Sequence, residues 1–267
     1  MELSQTIGYV LAVFVGITLG MIGSGGSILS VPILVYVMGI EPTLATAYSL
    51  FIIGTTSLVG GIHKARQKLV DFKKVILFGI PSVLTVFVTR KILVPNITEV
   101  IFTSEIFTMH KSVLIMVVFA FVMIFASVRM IKPLKEIIHS ESEKLNYIKI
   151  VFLGILIGLV SGFVGAGGGF LIVPTLLIFA RIPMKMAVGT SLFIVSSQSL
   201  IGFTGDLMGN EMIDWKLLQL FTIASIGGIL IGNAISKKVD DEKLKIGFGW
   251  FVLAMGIYII LKELFLS

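Results

Sequence analysis

GSGGSILSVP at residues 23–32 returns as GAGGGFLIVP at residues 165–174, 142 positions further on. The register holds outward in both directions. Gly16-x-x-x-Gly20 returns as Gly158-x-x-x-Gly162, Leu29-x-Val31-Pro32-x-Leu34 as Leu171-x-Val173-Pro174-x-Leu176, and Ser49-Leu50-Phe51 as Ser191-Leu192-Phe193. Ser57-Leu58-x-Gly60 returns as Ser199-Leu200-x-Gly202. After a one-residue slip, Val70-Asp71-Phe72-Lys73 returns as Ile213-Asp214-Trp215-Lys216. Shared apolar bias would not align glycines, prolines and serines together, so the chain reads as a duplication. The halves are 1–130 and 148–267, joined by a polar linker at 131–147.

Composition decides the environment of those halves. Apolar residues make up 56% of the 267 and charged residues 13%, with a mean hydropathy of +1.06. Soluble domains carry about 25% charged residues. From Leu3 to His63 the only formal charge is Glu41, and Val75–Thr89, Ser112–Val128, Ile150–Ala180, Leu217–Ser236 and Ile246–Leu261 carry none. These runs predict an all-α polytopic membrane protein. The chain has no cysteine, so disulfides and thiolate chemistry are excluded. His63, His110 and His139 lie too far apart for a metal-ligand spacing, and no cofactor is expected. Met1-Glu2-Leu3 lacks the basic start of a signal peptide. The net charge of +6 sits in short loops between apolar spans, which suits the lipid bilayer as partner and not a nucleic acid. A homodimer is left open.

Lys and Arg mark cytoplasmic loops. His63–Lys74, Arg129–Lys149 and Lys237–Lys245 are rich in them, whereas Gly205–Asp214 carries only Asp206, Glu211 and Asp214 and reads as external. Spans are expected near 44–62, 75–90, 108–128, 186–204, 217–236 and 246–261, with Lys91–Phe107 and both termini outside. As one straight helix, 150–180 would be about 46 Å long, too much for a core of about 30 Å. Two short arms meeting at Gly165–Gly169 fit instead, as a re-entrant hairpin opening on the cytoplasmic side near Arg181 and Lys185. The same reasoning makes 5–39 a hairpin opening outside. Each half is then a glycine-broken hairpin plus three helices, and the halves have inverted topology. Lys64 and Asp206 occupy matching positions with opposite sign.

Inverted repeats with broken helices point to a secondary transporter site. Non-helical backbone at membrane depth survives only inside protein or beside a water-filled cavity. Bare amides at a helix start favour an anion, and missing side chains let it approach. The candidate binding residues are Gly23, Ser24, Gly25, Gly26 and Ser27 in one turn, and Gly165, Gly167, Gly168 and Gly169 in the other. Ser49 and Thr56, seven apart, share a helix face, and Ser191 and Gln198 repeat that geometry with Thr190 nearby. These neutral donors suit an anion that must also leave. Other small-residue features read as structural. Gly16/Gly20 and Gly158/Gly162 suit helix packing, and an isolated intramembrane serine usually bonds back to its own helix. Pro32 and Pro174 suit first-turn or kink positions.

The Gly-rich block, Pro174 and Gly189-Thr190-Ser191-Leu192 resemble the sulfite exporter TauE/SafE family. The first half departs from that pattern, with Ser27 for the last glycine and Ala47-Tyr48-Ser49-Leu50 for Gly-Thr-Ser-Leu. The resemblance spans nearly the whole chain. It implies a cytoplasmic-membrane exporter of small sulfur-containing anions, such as sulfite or organosulfonates, with substrates that vary across the family. An anion-selective channel, or an importer of another oxyanion, shares the same site chemistry; saturation and coupling discriminate them. An intramembrane enzyme would need a nucleophile–base pair, a metal set or paired carboxylates within the spans, and the spans offer none. A non-transporting subunit would betray itself if changes to the glycine turns altered partner binding and not flux.

Overall fold

The computed structural model describes residues 3–103, 108–131, 147–180, 182–208, 213–236 and 241–265. Arg181, most of the linker (132–146) and parts of two charged loops (209–212 and 237–240) lie outside the described residues. Helix α1 (Leu3–Ile22) runs into a tight 3₁₀ stretch, Gly23–Leu29, then one α-turn, α2 (Ser30–Pro32), and a π segment, Ile33–Val37. Next come α3 (Pro42–Arg66) and α4 (Phe72–Val88), the latter continuing through a π segment, Thr89–Leu93, into α5 (Val94–Asn96). A hairpin of β1 (Val100–Thr103) and β2 (Thr108–His110) precedes α6 (Lys111–Ile131). The second half holds α7 (Tyr147–Val164), α8 (Gly169–Ile178), α9 (Met184–Leu207), α10 (Trp215–Ile235) and α11 (Asp241–Phe265). Six helices among the described residues are long and apolar enough to cross a membrane. The protein is therefore an all-α polytopic membrane protein.

Both glycine blocks reverse the chain. A Cβ on Gly26 would lie 2.5 Å from the amide nitrogen of Leu19, and one on Gly8 2.7 Å from Met38 Cγ. Residues 26–38 thus run back along 8–19, over about 17 Å at 1.5 Å per residue. In the second half Gly168 packs on Ser161, and Leu153 and Phe179 line one cavity. The arms are unequal, unlike the two short arms expected from the sequence. The entering helices have 20 and 18 residues, whereas α8, the second return arm, has 10. The span expected at 75–90 is also longer. The chain stays helical from 72 to 96, past Arg90 and Lys91, because side chains rather than an early stop satisfy those charges.

Packing is reciprocal between the halves. Helix α1 lies on α10, where Gly16 meets the Ser225 carbonyl, Gly20 meets Asn233, and Gly232 meets Ile17. Its counterpart α7 lies on α4, where Gly154 meets Phe78, Gly158 meets Ser82, and Gly162 meets Thr89. The glycines of both small-x-x-x-small runs are therefore packing surfaces, where missing side chains let backbones close. Helices α3 and α9 run antiparallel. Gly189, near the start of α9, meets Lys64 in the last turn of α3 and Leu69 just past it, and Gly54 meets Leu200. Helix α6 packs on α11.

Candidate functional site

The two glycine turns touch each other. Ser24 Oγ donates to the Gly169 carbonyl at 2.9 Å, and any Cβ on Gly169 would overlap Ser24. Gly23 and Gly165 both take positive φ, +77° and +72°. Their seats correspond as well. Gly23 packs on Val188 and Gly165 on Thr46, and 46 and 188 are themselves 142 apart. Positive φ and backbone contact together restrict both positions to glycine.

The candidate side chains divide by what they do with their polar atoms. Ser30 Oγ donates to the Ser27 carbonyl at 2.9 Å, so Ser49 donates to Ser30, 2.6 Å away, and ties α3 to the first turn. Gln198 is fully engaged: Oε1 accepts from Ser82 at 2.5 Å, and Nε2 donates to Ser161 at 3.2 Å and to the Gly167 carbonyl. It braces the second turn. Ser191 bonds back to the Val188 carbonyl at 2.8 Å. Thr190 accepts from the Asp71 amide at 3.0 Å. Gly25 and Gly168 pack within their own halves, on Ile22 and Ser161. Gly167 instead lies between Ser199 and Ile53, facing both halves.

A second set of polar atoms is fully buried with no hydrogen-bond partner from the protein: the hydroxyls of Ser27, Thr56, Ser57 and Ser199, and both amide atoms of Asn233. A Cβ on Gly167 would lie 2.9 Å from Ser199 Oγ and 3.2 Å from Ile53. Thr56 and Ser57 follow Ile53 by one helical turn, on the same side of α3. Each buried polar group without a partner costs about 1–3 kcal/mol. Ser27, in the first turn, and Ser199, beside the second, mark a place that water or a polar guest completes. Ser27 and Thr56 were named from the sequence. Ser57 and Ser199 were not, although their repetition within Ser-Leu-x-Gly carried the signal.

Arg90 is the other missed residue. It is 1% exposed, and a Cβ on Gly165 would lie 2.5 Å from its Nη2. Its Nη1 lies 3.4 Å from Asp206 Oδ1. Both line a cavity of about 440 Å³ with Lys91 and Lys111. A buried guanidinium beside a bare glycine turn is an anion-favouring arrangement, because its planar fork matches oxygen pairs. In the sequence it ends an apolar run and reads as a boundary charge.

The "Sulfite exporter TauE/SafE" family matches residues 9–259. A "Probable membrane transporter protein" of Xylella fastidiosa is 29% identical, covering 93% of this chain and 92% of that one. "Probable membrane transporter protein YunE" of Bacillus subtilis is 27% identical, covering 96% and 99%. "Probable membrane transporter protein MJ0441" of Methanocaldococcus jannaschii is 25% identical, covering 94% and 95%. No solved structure matches the chain. A duplicated, glycine-broken helical membrane chain with this family match leaves one conclusion: it belongs to the sulfite exporter TauE/SafE family and is a membrane transporter.

Proposed function

We propose that the protein exports small sulfur-containing oxyanions, sulfite or organosulfonates, across the cytoplasmic membrane. The two glycine turns hold the anion near the bilayer midplane, and the halves, inverted repeats of one another, rock about it to expose it to each side in turn. The observation that carries this reading is the meeting of the turns at Ser24 and Gly169, bordered by buried hydroxyls that the protein leaves unpartnered. Antiparallel α3 and α9 and the reciprocal packing of α1 on α10 and α7 on α4 support the inverted repeat. Hydroxyls and amides contact the oxyanion at the turns, and the Arg90 charge beside Gly165 is balanced by Asp206, so release stays fast. An inside-negative potential favours anion efflux by about 2.3 kcal/mol per charge per 100 mV. That suffices for uniport without a coupling ion.

The test is flux in proteoliposomes with sulfite, sulfate, thiosulfate and a short alkanesulfonate, with and without proton or sodium gradients. Saturable flux of sulfite or the sulfonate, driven by potential alone, is expected. Flux that rises linearly with concentration would mean a channel. No flux of any of the four would end the reading.

A further inference from the structure

We infer that Arg90, at the floor of the Asp206-lined cavity, is an oxyanion-binding residue that guards one entrance to the site, and that the Asp206 carboxylate occupies it until an anion displaces it. The inference rests on the proposed function and adds to it a second binding position with its own competitor. Four observations meet here. The Arg90 guanidinium is buried, yet it lines an open cavity of about 440 Å³. Liquid water takes about 30 Å³ per molecule, so the cavity has room for an oxyanion with several waters. Lys91 and Lys111 line the same space, which makes it cationic apart from Asp206. The far side of Arg90 touches Gly165, so an anion held here is next to the second glycine turn.

The pair itself is built for exchange. Asp206 Oδ1 lies 3.4 Å from Arg90 Nη1, and the Asp206 side chain is 16% exposed while that of Arg90 is 0% exposed. A guanidinium presents a fork that binds two oxygens side by side. A sulfur oxyanion takes the carboxylate's place at Nη1, and the displaced carboxylate turns toward the cavity it already lines. Lys111 is held 3.7 Å from the exposed Glu99, a loose contact that leaves its charge acting on the cavity. The counterparts in the duplicated sequence differ in charge. Position 64 is lysine where 206 is aspartate, and position 233 is asparagine where 90 is arginine. A carboxylate competitor therefore belongs to one face only, and anions meet different resistance from the two faces.

The experiment measures sulfite flux in right-side-out and inside-out membrane vesicles for the wild type, R90Q, R90K and D206N. Removing the competitor in D206N should lower half-saturation at least threefold from the Asp206 face and leave the other face within twofold. R90Q should raise half-saturation at least tenfold from that face alone, with R90K restoring part of it. Equal shifts from both faces, or a D206N half-saturation that rises, would overturn the inference while leaving the transporter reading intact. If R90Q does not fold, D206N decides. Should wild-type vesicles carry no sulfite, the proposed function is what fails, and sulfite binding to detergent-purified protein judges Arg90. Sulfite should then raise the melting temperature of D206N more than that of the wild type, and that of R90K more than that of R90Q; equal shifts in all four would overturn the inference.

Discussion

The backbone amide of Asp71 donates to the Thr190 hydroxyl at 3.0 Å, and its counterpart Asp214 donates to the Tyr48 hydroxyl at 2.6 Å. Both aspartates also cap the helices they precede, Asp71 accepting from Lys74 and Asp214 from Leu217. Each half thus pins the start of its fourth span to the other half's third. Losing one such acceptor leaves a part-buried amide unpaired, at about 1–3 kcal/mol. Thr190→Val and Tyr48→Phe should each lower thermal stability in detergent by that order, and the double variant by about the sum, since the sites lie at opposite ends of α3 and α9. A double variant no worse than either single one would mean that the two pins act as one.

Gly169 admits no side chain. Its Cβ position overlaps Ser24, and Ser24 bonds to its carbonyl. Gly169→Ala should therefore part the turns and remove transport, while α7, α8 and their lipid-facing surfaces still insert. Flux and membrane abundance, measured side by side, separate the two effects. Gly227, which has open space around it, is the control: Gly227→Ala should leave both unchanged.

Topology has a direct test. Met208 is 64% exposed at the end of α9, and Lys68 is exposed just past α3. Single cysteines at the two positions, in a chain that has none of its own, should react with an impermeant maleimide from opposite faces of the membrane. Reaction from one face would break the inverted arrangement.

Glu41 gives the fold a pH dependence. Burial pushes its carboxyl up, but hydrogen bonds from Thr43, Ser112 and Leu44 outweigh burial and hold it below the ordinary value of 4.5. Ser112 donates at 2.7 Å from the start of α6, and the Leu44 amide at 3.0 Å from the first turn of α3. A carboxyl whose pKa is lower folded than unfolded stabilises the fold fully above its unfolded value, and that contribution is lost as pH falls through the folded value. The melting-temperature gap between wild type and Glu41→Gln should therefore be widest near pH 7 and shrink below about pH 4. A gap that stays constant with pH would assign the effect to shape and not to charge.

What the sequence disclosed and what it hid follow from the kind of information each residue carries. The turns were legible because glycine breaks a helix wherever it clusters, and the 142-residue register said which turns correspond. The spans were legible from charge-free runs, although α4 outlasted its run because Arg90 and Lys91 find partners in Asp206 and Phe87. Helical spacing placed Ser49 with Thr56 and Ser191 with Gln198, but spacing tells which residues share a face and not what that face meets. Only the fold shows that Gln198 is spent on Ser82, Ser161 and the Gly167 carbonyl, and that Ser191 turns back on its own helix. Arg90 was hidden because a boundary arginine looks the same whether it snorkels to water or folds inward beneath a glycine.

Ser57 and Ser199 separate a binding role from a structural one. Both hydroxyls are buried and neither has a protein partner, so alanine removes no hydrogen bond within the protein. Replacing a polar group that pays its desolvation without return should leave stability unchanged or raise it by about 1 kcal/mol. If the proposed site is right, transport should fall nonetheless, because Ser199 lies beside Gly167 and Ser57 one helical turn from Ile53, which also meets Gly167. Ser191→Ala breaks only a bond within its own helix and should leave flux near the wild-type level. A matched set of melting temperatures and sulfite half-saturation values reads both quantities at once. Stability and transport falling together in Ser57→Ala and Ser199→Ala would make the hydroxyls packing elements, whereas a loss of transport at undiminished stability places them against the substrate.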